Sequence, residues 1–251
     1  MAIKVVKLGG NEIDSAEFLQ AFAQVIAAEA RPPIVVHGGG KEIAALQARL
    51  GIEPRFIDGL RVTDEESLQI VEMVLGGAVN KRLVRTLNAA GAQAIGLSVA
   101  DQNLLRREPL RIPQGDLMFV GSITHVNCDA LDLFVGHGIV PVVAPLGCGD
   151  GGRAYNINAD HAALAIARAM NAEALVIVTN VPGVYIDGEV VRRLTATEAE
   201  RFITSGEIRG GMVPKVRSAL EAVSSGVRAV VICDLDGMRN GTGTVIVNQP
   251  S

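Results

Sequence analysis

Short β-branched runs that end in glycines alternate with helical patterns along this chain, and no other feature constrains its fold as strongly. The first predicted strand, residues 3–8, ends at Gly9-Gly10, and the second, residues 34–36, runs through His37 into Gly38-Gly39-Gly40. Apolar residues at helical spacing follow each of these glycine turns. Parallel strands need crossover connections of this kind, so the pattern predicts an α/β fold with βαβ units and a mainly parallel sheet.

The rest of the chain continues this alternation. A hairpin region is predicted around residues 117–124, and further strands are predicted at residues 94–97, 140–144, 174–178, 229–233 and 244–247. Helices are predicted at residues 161–170 and 213–224. Capping pairs predict three further helix starts, at Asp14 with Glu17, Thr63 with Glu66, and Thr195 with Glu198.

Two features bear on the larger organisation. The helix from Thr63 is expected to continue towards Gly91, and Gly76-Gly77 within it suggests close packing or a subunit contact. The polar, glycine-rich residues 147–153 predict a lobe boundary, because turn residues cluster there and a new strand–helix cycle follows. We therefore expect a single domain, residues 1–251, with lobes at residues 1–152 and 153–251.

Composition excludes several classes of function. The chain has 23 Lys and Arg against 27 Asp and Glu, and 3% aromatic residues, so a dedicated nucleic-acid binder is not expected. No apolar run approaches the ~20 residues of a membrane span, and the first strand follows no signal-peptide pattern, so we expect a cytoplasmic protein without membrane contact. Cys128, Cys148 and Cys233 are widely spaced, which argues against a disulfide framework or a zinc site.

Two lysines lie beside glycine turns. Lys7 stands at the end of the first strand, two residues before Gly9, and Lys215 follows Gly210-Gly211 at a helix start. Ligands of an open parallel sheet bind at the carboxyl ends of its strands, so Lys7 is placed to meet a phosphate. An ordinary turn with a solvated lysine is the alternative for Lys7. His37 is expected to be structural rather than a general base.

Other polar residues gather at two predicted helix starts. Arg61 precedes a helix and could bind a carboxylate with both arms of its guanidinium. Asn156, Asn158 and Asp160 lie together, and a helix cap would explain only one of them. Two lysines with an aspartate suit phosphoryl transfer, which depends largely on positioning and on cancelling charge.

Six segments, in order along nearly the whole chain, resemble the amino acid kinase family: residues 7–10, 37–40, 59–63, 156–160, 180–184 and 210–215. Together they look most like the members that phosphorylate N-acetyl-L-glutamate in arginine biosynthesis. The resemblance implies a three-layer sandwich with an open, mainly parallel central sheet, an acyl-substrate lobe and an ATP-binding lobe. Mg²⁺ would arrive with ATP and be held mainly by phosphates and water, so no protein metal ligand is expected.

The resemblance also implies roles for individual residues. Lys7 and Lys215 would stabilise the transferring phosphoryl group, and Asp160 would hold both lysines. Arg61 and Asn156 would bind the substrate α-carboxylate, with Asn158 near the reacting groups. Backbone N–H groups would bind the phosphate and the attacking γ-carboxylate at Gly9, Gly10, Gly39, Gly40 and Gly211. The nucleotide pocket would be lined by Asn180, Val181, Pro182, Gly183, Val184, Tyr185, Glu207, Ile208 and Arg209.

The sequence departs from the family pattern after Ser98, where Val99-Ala100-Asp101-Gln102 replaces a loop that usually carries two glycines. Two other functions stay open. One is a lysine- or ornithine-route kinase whose aminoadipate or glutamate is attached to a carrier protein, and the other is a non-catalytic sensor of nucleotide or amino acid. We expect a homodimer that is insensitive to arginine, since no helix precedes the first strand, which begins by residue 3.

Overall fold

The computed structural model describes residues 3–98 and 100–248 and has the predicted α/β organisation. In this part of the chain the strands are β1 (Lys4–Leu8), β2 (Ile34–His37), β3 (Phe56–Ile57), β4 (Leu60–Arg61), β5 (Ala94–Leu97), β6 (Leu105–Ile112), β7 (Gly115–Val126), β8 (Val140–Val143), β9 (Leu146–Cys148), β10 (Ala154–Asn156), β11 (Ala174–Val178), β12 (Tyr185–Ile186), β13 (Glu189–Val190), β14 (Arg193–Thr195), β15 (Val230–Cys233) and β16 (Thr244–Val247).

Helices connect most of these strands. Over the same residues they are α1 (Gly10–Ile13), α2 (Ala16–Ala27), α3 (Gly40–Arg49), α4 (Glu65–Val71), α5 (Asn80–Ala89), α6 (Cys128–Gly136), α7 (Ala159–Ala169), α8 (Ala196–Ser205), α9 (Met212–Ser224) and α10 (Leu235–Asn240). A π-helical segment, Glu72–Val79, joins α4 to α5, and a 3₁₀ turn covers Asp150–Gly152. Among the described residues, no helix combines the length and the apolar character needed to span a membrane.

The central sheet has the strand order β14-β16-β15-β11-β1-β2-β8-β5 in the described residues. Neighbouring strands are parallel throughout, except that β15 and β16 are antiparallel. The predicted mainly parallel sheet is therefore confirmed. Because β11, β1 and β2 are adjacent and parallel, their carboxyl ends lie side by side at the same end of the sheet.

Helices cover both faces of this sheet, which confirms the three-layer sandwich. Successive strand residues point to opposite faces, so Val5 packs with α6, α7 and α9, whereas Val6 packs with α2, α4 and α5. Ile34 and Val35 of β2 divide between the two cores in the same way. Strands buried on both faces are apolar throughout, and this explains the continuous β-branched runs in the sequence.

A small closed barrel of β10, β7, β6 and β9 lies beside the central sheet. Its long antiparallel hairpin, β6 with β7, includes the predicted hairpin region, and β9 with β10 completes it. Only β10 comes from the chain after residue 152. Both parts of the chain also contribute strands to the central sheet, and the division into lobes at this residue stays a prediction.

Two of the three predicted capping pairs are wrong by one residue. Ser15, not Asp14, caps α2 by accepting the N–H of Phe18, and Asp64, not Thr63, caps α4 by accepting the N–H of Ser67. In both cases two residues able to cap stand side by side, and the one at the end of the extended backbone takes the role. The pair Thr195 and Glu198 forms the predicted capping box of α8.

The predicted long helix from residue 63 towards residue 91 is present, but it is not uniformly α-helical. Its middle part is the π-helical segment Glu72–Val79, which contains Gly76 and Gly77. A π turn holds one more residue than an α turn, and such bulges are frequent at functional sites. Leu75 of this segment packs against Gly39, where an added Cβ would lie 2.6 Å from Leu75 Cδ2.

The departure from the family pattern falls partly outside the described residues, because Val99 is not among them. Beside it, the Asp101 carboxylate accepts hydrogen bonds from the backbone N–H and the hydroxyl of Ser98, at 2.6 and 3.1 Å. The turn is thus closed by a side chain.

We expect Thr195→Ala to lower the free energy of unfolding by about 1 kcal/mol, the usual cost of losing an N-cap. The Thr195 hydroxyl accepts the Glu198 N–H at 3.2 Å, and Glu198 in turn accepts the Thr195 N–H at 2.8 Å. Urea unfolding measures the change. Thr204→Ala is the matched control in the same helix, because its hydroxyl only donates back to the Glu200 carbonyl. Equal losses in the two variants would contradict the prediction.

Candidate active site

Helices α1, α3 and α9 begin at glycines that offer no capping side chain: Gly9, Gly39 and Gly211. Apart from α5, which continues the π-helical segment, the other α-helix starts in the described chain are capped by side-chain oxygens, those of Ser15, Asp64, Asn127, Asn158, Thr195 and Asp234. The first N–H groups of a helix lack intrahelical partners and favour anions. The uncapped starts coincide with the glycine turns of the sequence, so their N–H groups are available to a phosphate or carboxylate.

Lys7 and Asp160 form an ion pair with 2.8 Å between Nζ and Oδ1. Lys7 lies near the carboxyl end of β1, and Asp160 lies in the first turn of α7, which packs on β1. Asn158 is the N-cap of α7, and its Oδ1 accepts the N–H groups of Asp160 and His161. Because the asparagine caps the helix, the Asp160 carboxylate is free to face the lysine.

The ion pair borders a cavity of about 260 Å³ at the carboxyl ends of β1 and β2. Its lining includes all five residues predicted for the acyl substrate, namely Gly39, Gly40, Arg61, Asn156 and Asn158, together with the predicted catalytic residues Lys7 and Asp160. Gly9 and Gly10 lie just beyond β1, at the start of α1. Cationic and amide groups thus converge on a space that suits a small anionic molecule.

Arg61 is fixed in this cavity by neighbours that the sequence did not identify. Its guanidinium donates to the Gln47 side-chain oxygen and, at 3.1 Å, to the Gly40 carbonyl, and it lies 4.8 Å from the centre of the Phe56 ring. The buried Gln47 is itself held by the Ser67 hydroxyl. Partial burial lowers the pKa of Arg61, but an arginine stays charged in proteins. Its remaining N–H groups can bind a carboxylate.

Thr63 connects the two residues predicted to bind the α-carboxylate. Its buried hydroxyl accepts from Asn156 Nδ2 at 2.9 Å and donates to the Arg61 carbonyl at 3.1 Å. Asn156 sits at the end of β10, so this contact ties the barrel to the start of α4. Arg153 adds a second tie by pairing with Glu65.

A second cavity, of about 720 Å³, lies between the end of β11 and the start of α9. Of the residues predicted for nucleotide and phosphate, it is lined by Asn180, Val181, Tyr185, Glu207, Ile208, Arg209, Gly211 and Lys215. Pro182, Gly183 and Val184 are absent from this lining. Val184 is buried and its N–H donates to Thr244 Oγ1, while a Cβ on Gly183 would lie 2.7 Å from the same oxygen. These residues shape the loop beside the cavity.

The two lysines face different cavities. Lys7 lines the smaller one and Lys215 the larger one, and within the described residues Asp160 forms an ion pair with Lys7 only. Helix α9, which carries Lys215, contacts α7, which carries Asp160. The prediction that Asp160 holds both lysines stays a prediction.

Sequence reasoning missed further residues that line the cavities. Phe56 and Leu75 border the smaller one, and Asp187, Gly188 and Ser205 border the larger one. Asp187 and Gly188 form the turn of the β12–β13 hairpin, and an Asp-Gly pair between apolar runs is a hairpin signal that could have identified them. Gln47 had no such signal, because its role depends on α3 packing against α4.

His37 is buried beneath the glycine turn, as expected for a structural histidine. Its Nδ1 lies 2.8 Å from the Gly38 carbonyl oxygen, and its Nε2 lies 3.2 Å from Asn80 Nδ2. Burial lowers the pKa of His37 to about 4, so the ring is neutral at pH 7. Within the described residues, no group of three or more His, Cys, Asp and Glu side chains is arranged to hold a metal ion.

Comparison with known proteins identifies relatives of the whole chain. The model of the amino acid kinase family matches residues 2–234. An acetylglutamate kinase from Roseiflexus sp. (strain RS-1) is 49% identical over 245 residues, covering 98% of this chain and 93% of the relative. An acetylglutamate kinase from Methanopyrus kandleri is 45% identical over 252 residues, covering 97% of this chain and all of the relative.

Solved structures share the fold. The structure of smu.665 from Streptococcus mutans UA159 aligns with a TM-score of 0.79 and 31% identity, over 98% of this chain and 99% of that chain.

The pH dependence of the free energy of unfolding should reflect the burial of His37. The folded-state pKa of His37 is about 4 and the usual value is 6.5, so between these pH values the unfolded state binds more protons. The stability that the buried, neutral His37 contributes is fully present above pH 6.5 and is lost as the pH falls towards 4. From pH 7.5 to pH 5 we expect the wild-type free energy of unfolding to fall by about 2 kcal/mol more than that of His37→Asn. Urea unfolding at both pH values measures this, and equal pH dependence in the two proteins would contradict it.

Proposed function

Since this chain belongs to the amino acid kinase family, we propose that it is an acetylglutamate kinase, which transfers the γ-phosphoryl group of ATP to the γ-carboxylate of N-acetyl-L-glutamate in arginine biosynthesis. The observation that carries the proposal is the small cavity in which Arg61, Asn156 and Lys7 converge beside an uncapped helix start. Its charge suits an acidic acyl substrate. The similarity to acetylglutamate kinases over nearly the whole chain supports the same substrate.

In the proposed reaction a γ-carboxylate oxygen of acetylglutamate attacks the γ-phosphorus of ATP. The new O–P bond forms as the bond from phosphorus to the β,γ-bridging oxygen breaks, and its electron pair leaves with ADP. A carboxylate is already nucleophilic at pH 7, so no proton has to be removed and no general base is needed. The work of the protein is therefore to position two anions and to offset their charge.

The proposed roles follow the two cavities. In the smaller one, Arg61 and Asn156 bind the α-carboxylate, and Gly39 and Gly40 offer N–H groups to the γ-carboxylate and the phosphoryl oxygens. Lys7, held by Asp160, offsets charge on the transferring group. Gly9 and Gly10 provide further N–H groups to the phosphate.

The larger cavity is proposed to bind MgATP, with its metal held by phosphates and water. Its volume of about 720 Å³ suits a nucleotide, and its lining includes the aromatic ring of Tyr185 and the guanidinium of Arg209. Lys215 and the N–H of Gly211 lie at the start of α9 and line this cavity, where they can meet the phosphate chain.

The test measures ATP-dependent acyl phosphate formation by trapping with hydroxylamine. The acceptors to compare are N-acetyl-L-glutamate, glutamate, N-acetylaspartate, N-acetylaminoadipate, and glutamate or aminoadipate attached to a carrier protein. We expect N-acetyl-L-glutamate to have the highest kcat/KM. Preference for another free acceptor would change the substrate assignment, reaction only with a carrier-linked acceptor would favour the lysine or ornithine route, and no turnover with any acceptor would favour a sensor.

Lys7→Ala and Lys215→Ala should each lower kcat by about 10²-fold or more, because each removes one preorganised positive charge from the transition state. Thermal unfolding should show that both variants remain folded. Arg217→Ala is the matched control, since Arg217 is an exposed cation two residues after Lys215 in α9 and does not line the cavity. Near-normal turnover in either lysine variant would remove that lysine from the proposed mechanism.

Arg61→Lys should raise the KM for acetylglutamate at least tenfold and leave the KM for ATP nearly unchanged. Lysine keeps the charge but cannot reproduce the planar, two-armed contact with a carboxylate. Arg55→Lys, an exposed arginine just before β3, serves as the control. A similar rise in both KM values would place Arg61 away from the acceptor.

We also propose a homodimer in the cytoplasm. Met73, on the π-helical segment, has 57% of its surface exposed, and a Cβ on Gly77 in that segment would meet nothing within 4 Å, so a second helix can approach closely there. Sedimentation equilibrium should give twice the 26.3 kDa chain mass, and Met73→Glu should shift the protein towards monomer. A monomeric wild type, or an unaffected variant, would contradict this assembly.

A further inference from the structure

Two fully buried polar residues, His37 and Asn80, lie beneath the glycine turn of the acyl cavity, and the proposed chemistry uses neither of them. His37 is the last residue of β2, and Asn80 is the first residue of α5, directly after the π-helical segment. Burying such groups is costly unless their hydrogen bonds are satisfied. Their contacts therefore call for a physical reason.

The partners of these two residues fix every hydrogen position. The Val142 carbonyl oxygen, 2.9 Å from Asn80, can only accept, so the atom facing it is the amide nitrogen Nδ2. The same nitrogen lies 3.2 Å from Nε2 of His37, which must then accept as well. The proton of the neutral imidazole is left on Nδ1, and Nδ1 donates to the Gly38 carbonyl at 2.8 Å.

This last bond controls the direction of a catalytic N–H. The Gly38 carbonyl and the Gly39 N–H belong to one peptide unit, which is planar and trans in the described chain, so the two groups point in opposite directions. With its carbonyl held by the buried histidine, the unit turns the Gly39 N–H away from His37. Gly39 lines the acyl cavity and begins α3 without a capping side chain.

The contacts of Asn80 support a role other than stability. Its Oδ1 is buried and has no hydrogen-bond partner in the described residues. An unpaired buried oxygen destabilises the folded state, and an apolar side chain would avoid this cost. Gly96 makes room for this amide, because a Cβ at that position would collide with Asn80 Oδ1.

We propose that Asn80 and His37 are positioning residues: Asn80 fixes the Nδ1–H tautomer of His37, and His37 holds the Gly38–Gly39 peptide so that the Gly39 N–H faces the transferring phosphoryl group. The assignment of that group rests on the proposed function. The orientation of the Gly38–Gly39 peptide does not rest on the proposed function.

The kinetic test compares two replacements of His37. His37→Asn places an amide nitrogen where Nδ1 lies and can keep the bond to Gly38, whereas His37→Leu removes it. We expect His37→Leu to lower kcat at least tenfold with less than a threefold change in the KM for ATP, and His37→Asn to restore most of the lost kcat. The control is Leu83→Ala, which creates a buried cavity one turn further along α5.

Comparison with this control separates positioning from general destabilisation. Leu83→Ala should lower the unfolding temperature and leave kcat within about twofold of the wild type. Equal kcat in the two His37 variants, or a kcat loss in Leu83→Ala as large as in His37→Leu, would overturn the proposal.

A second measurement does not depend on turnover. Nitrogen-15 NMR of histidine-labelled wild-type protein at pH 7 should show His37 as the neutral Nδ1–H tautomer, and Asn80→Leu should allow the Nε2–H form. An Nε2–H tautomer or a charged ring in the wild type would overturn the proposal. If the wild type has no kinase activity, the proposed function is wrong, and the tautomer result alone decides whether the histidine holds the peptide.

Discussion

The parallel pairing of β1 with β2 and β11 is the constraint on which the site depends. Adjacent parallel strands end on the same side, so the residues after Leu8, His37 and Val178 are neighbours in space although they are far apart in sequence. Helix starts with unpaired N–H groups follow β1 and β2 at this side. Strand direction thus gathers groups that attract anions before any side chain contributes.

Much of this arrangement could be predicted from the sequence because its signals are local. A β-branched run, a glycine turn and an amphipathic helix are each visible within about ten residues, and their alternation predicted the mainly parallel sheet, while the three-layer sandwich came from the resemblance to the family. The polar residues around Arg61 and Asn156 were recognisable for a similar reason. They stand at turns, where a polar residue without a capping role needs another explanation.

The remaining features depend on contacts between distant parts of the chain. Closure of the barrel requires β10 to pair with β7, and no local pattern reports that pairing. Gln47 gave no signal and Thr63 was predicted to cap a helix, because their actual roles come from Arg61 and Asn156, which reach them only in the folded state. The two wrong capping predictions show the same limit of local sequence patterns within a single helix start. Where two residues able to cap are adjacent, backbone conformation decides between them.

The π-helical segment makes the orientation of Asn80 depend on the number of residues in the helix that carries it. It holds an extra residue between α4, which begins beside Arg61 and Thr63, and α5, which begins at Asn80. Each residue of a helix turns its successor by about 100°. If these eight residues were α-helical instead of π-helical, each would turn its successor further, and Asn80 would be rotated away from His37. In this part of the chain, the number of residues carries as much information as their identity.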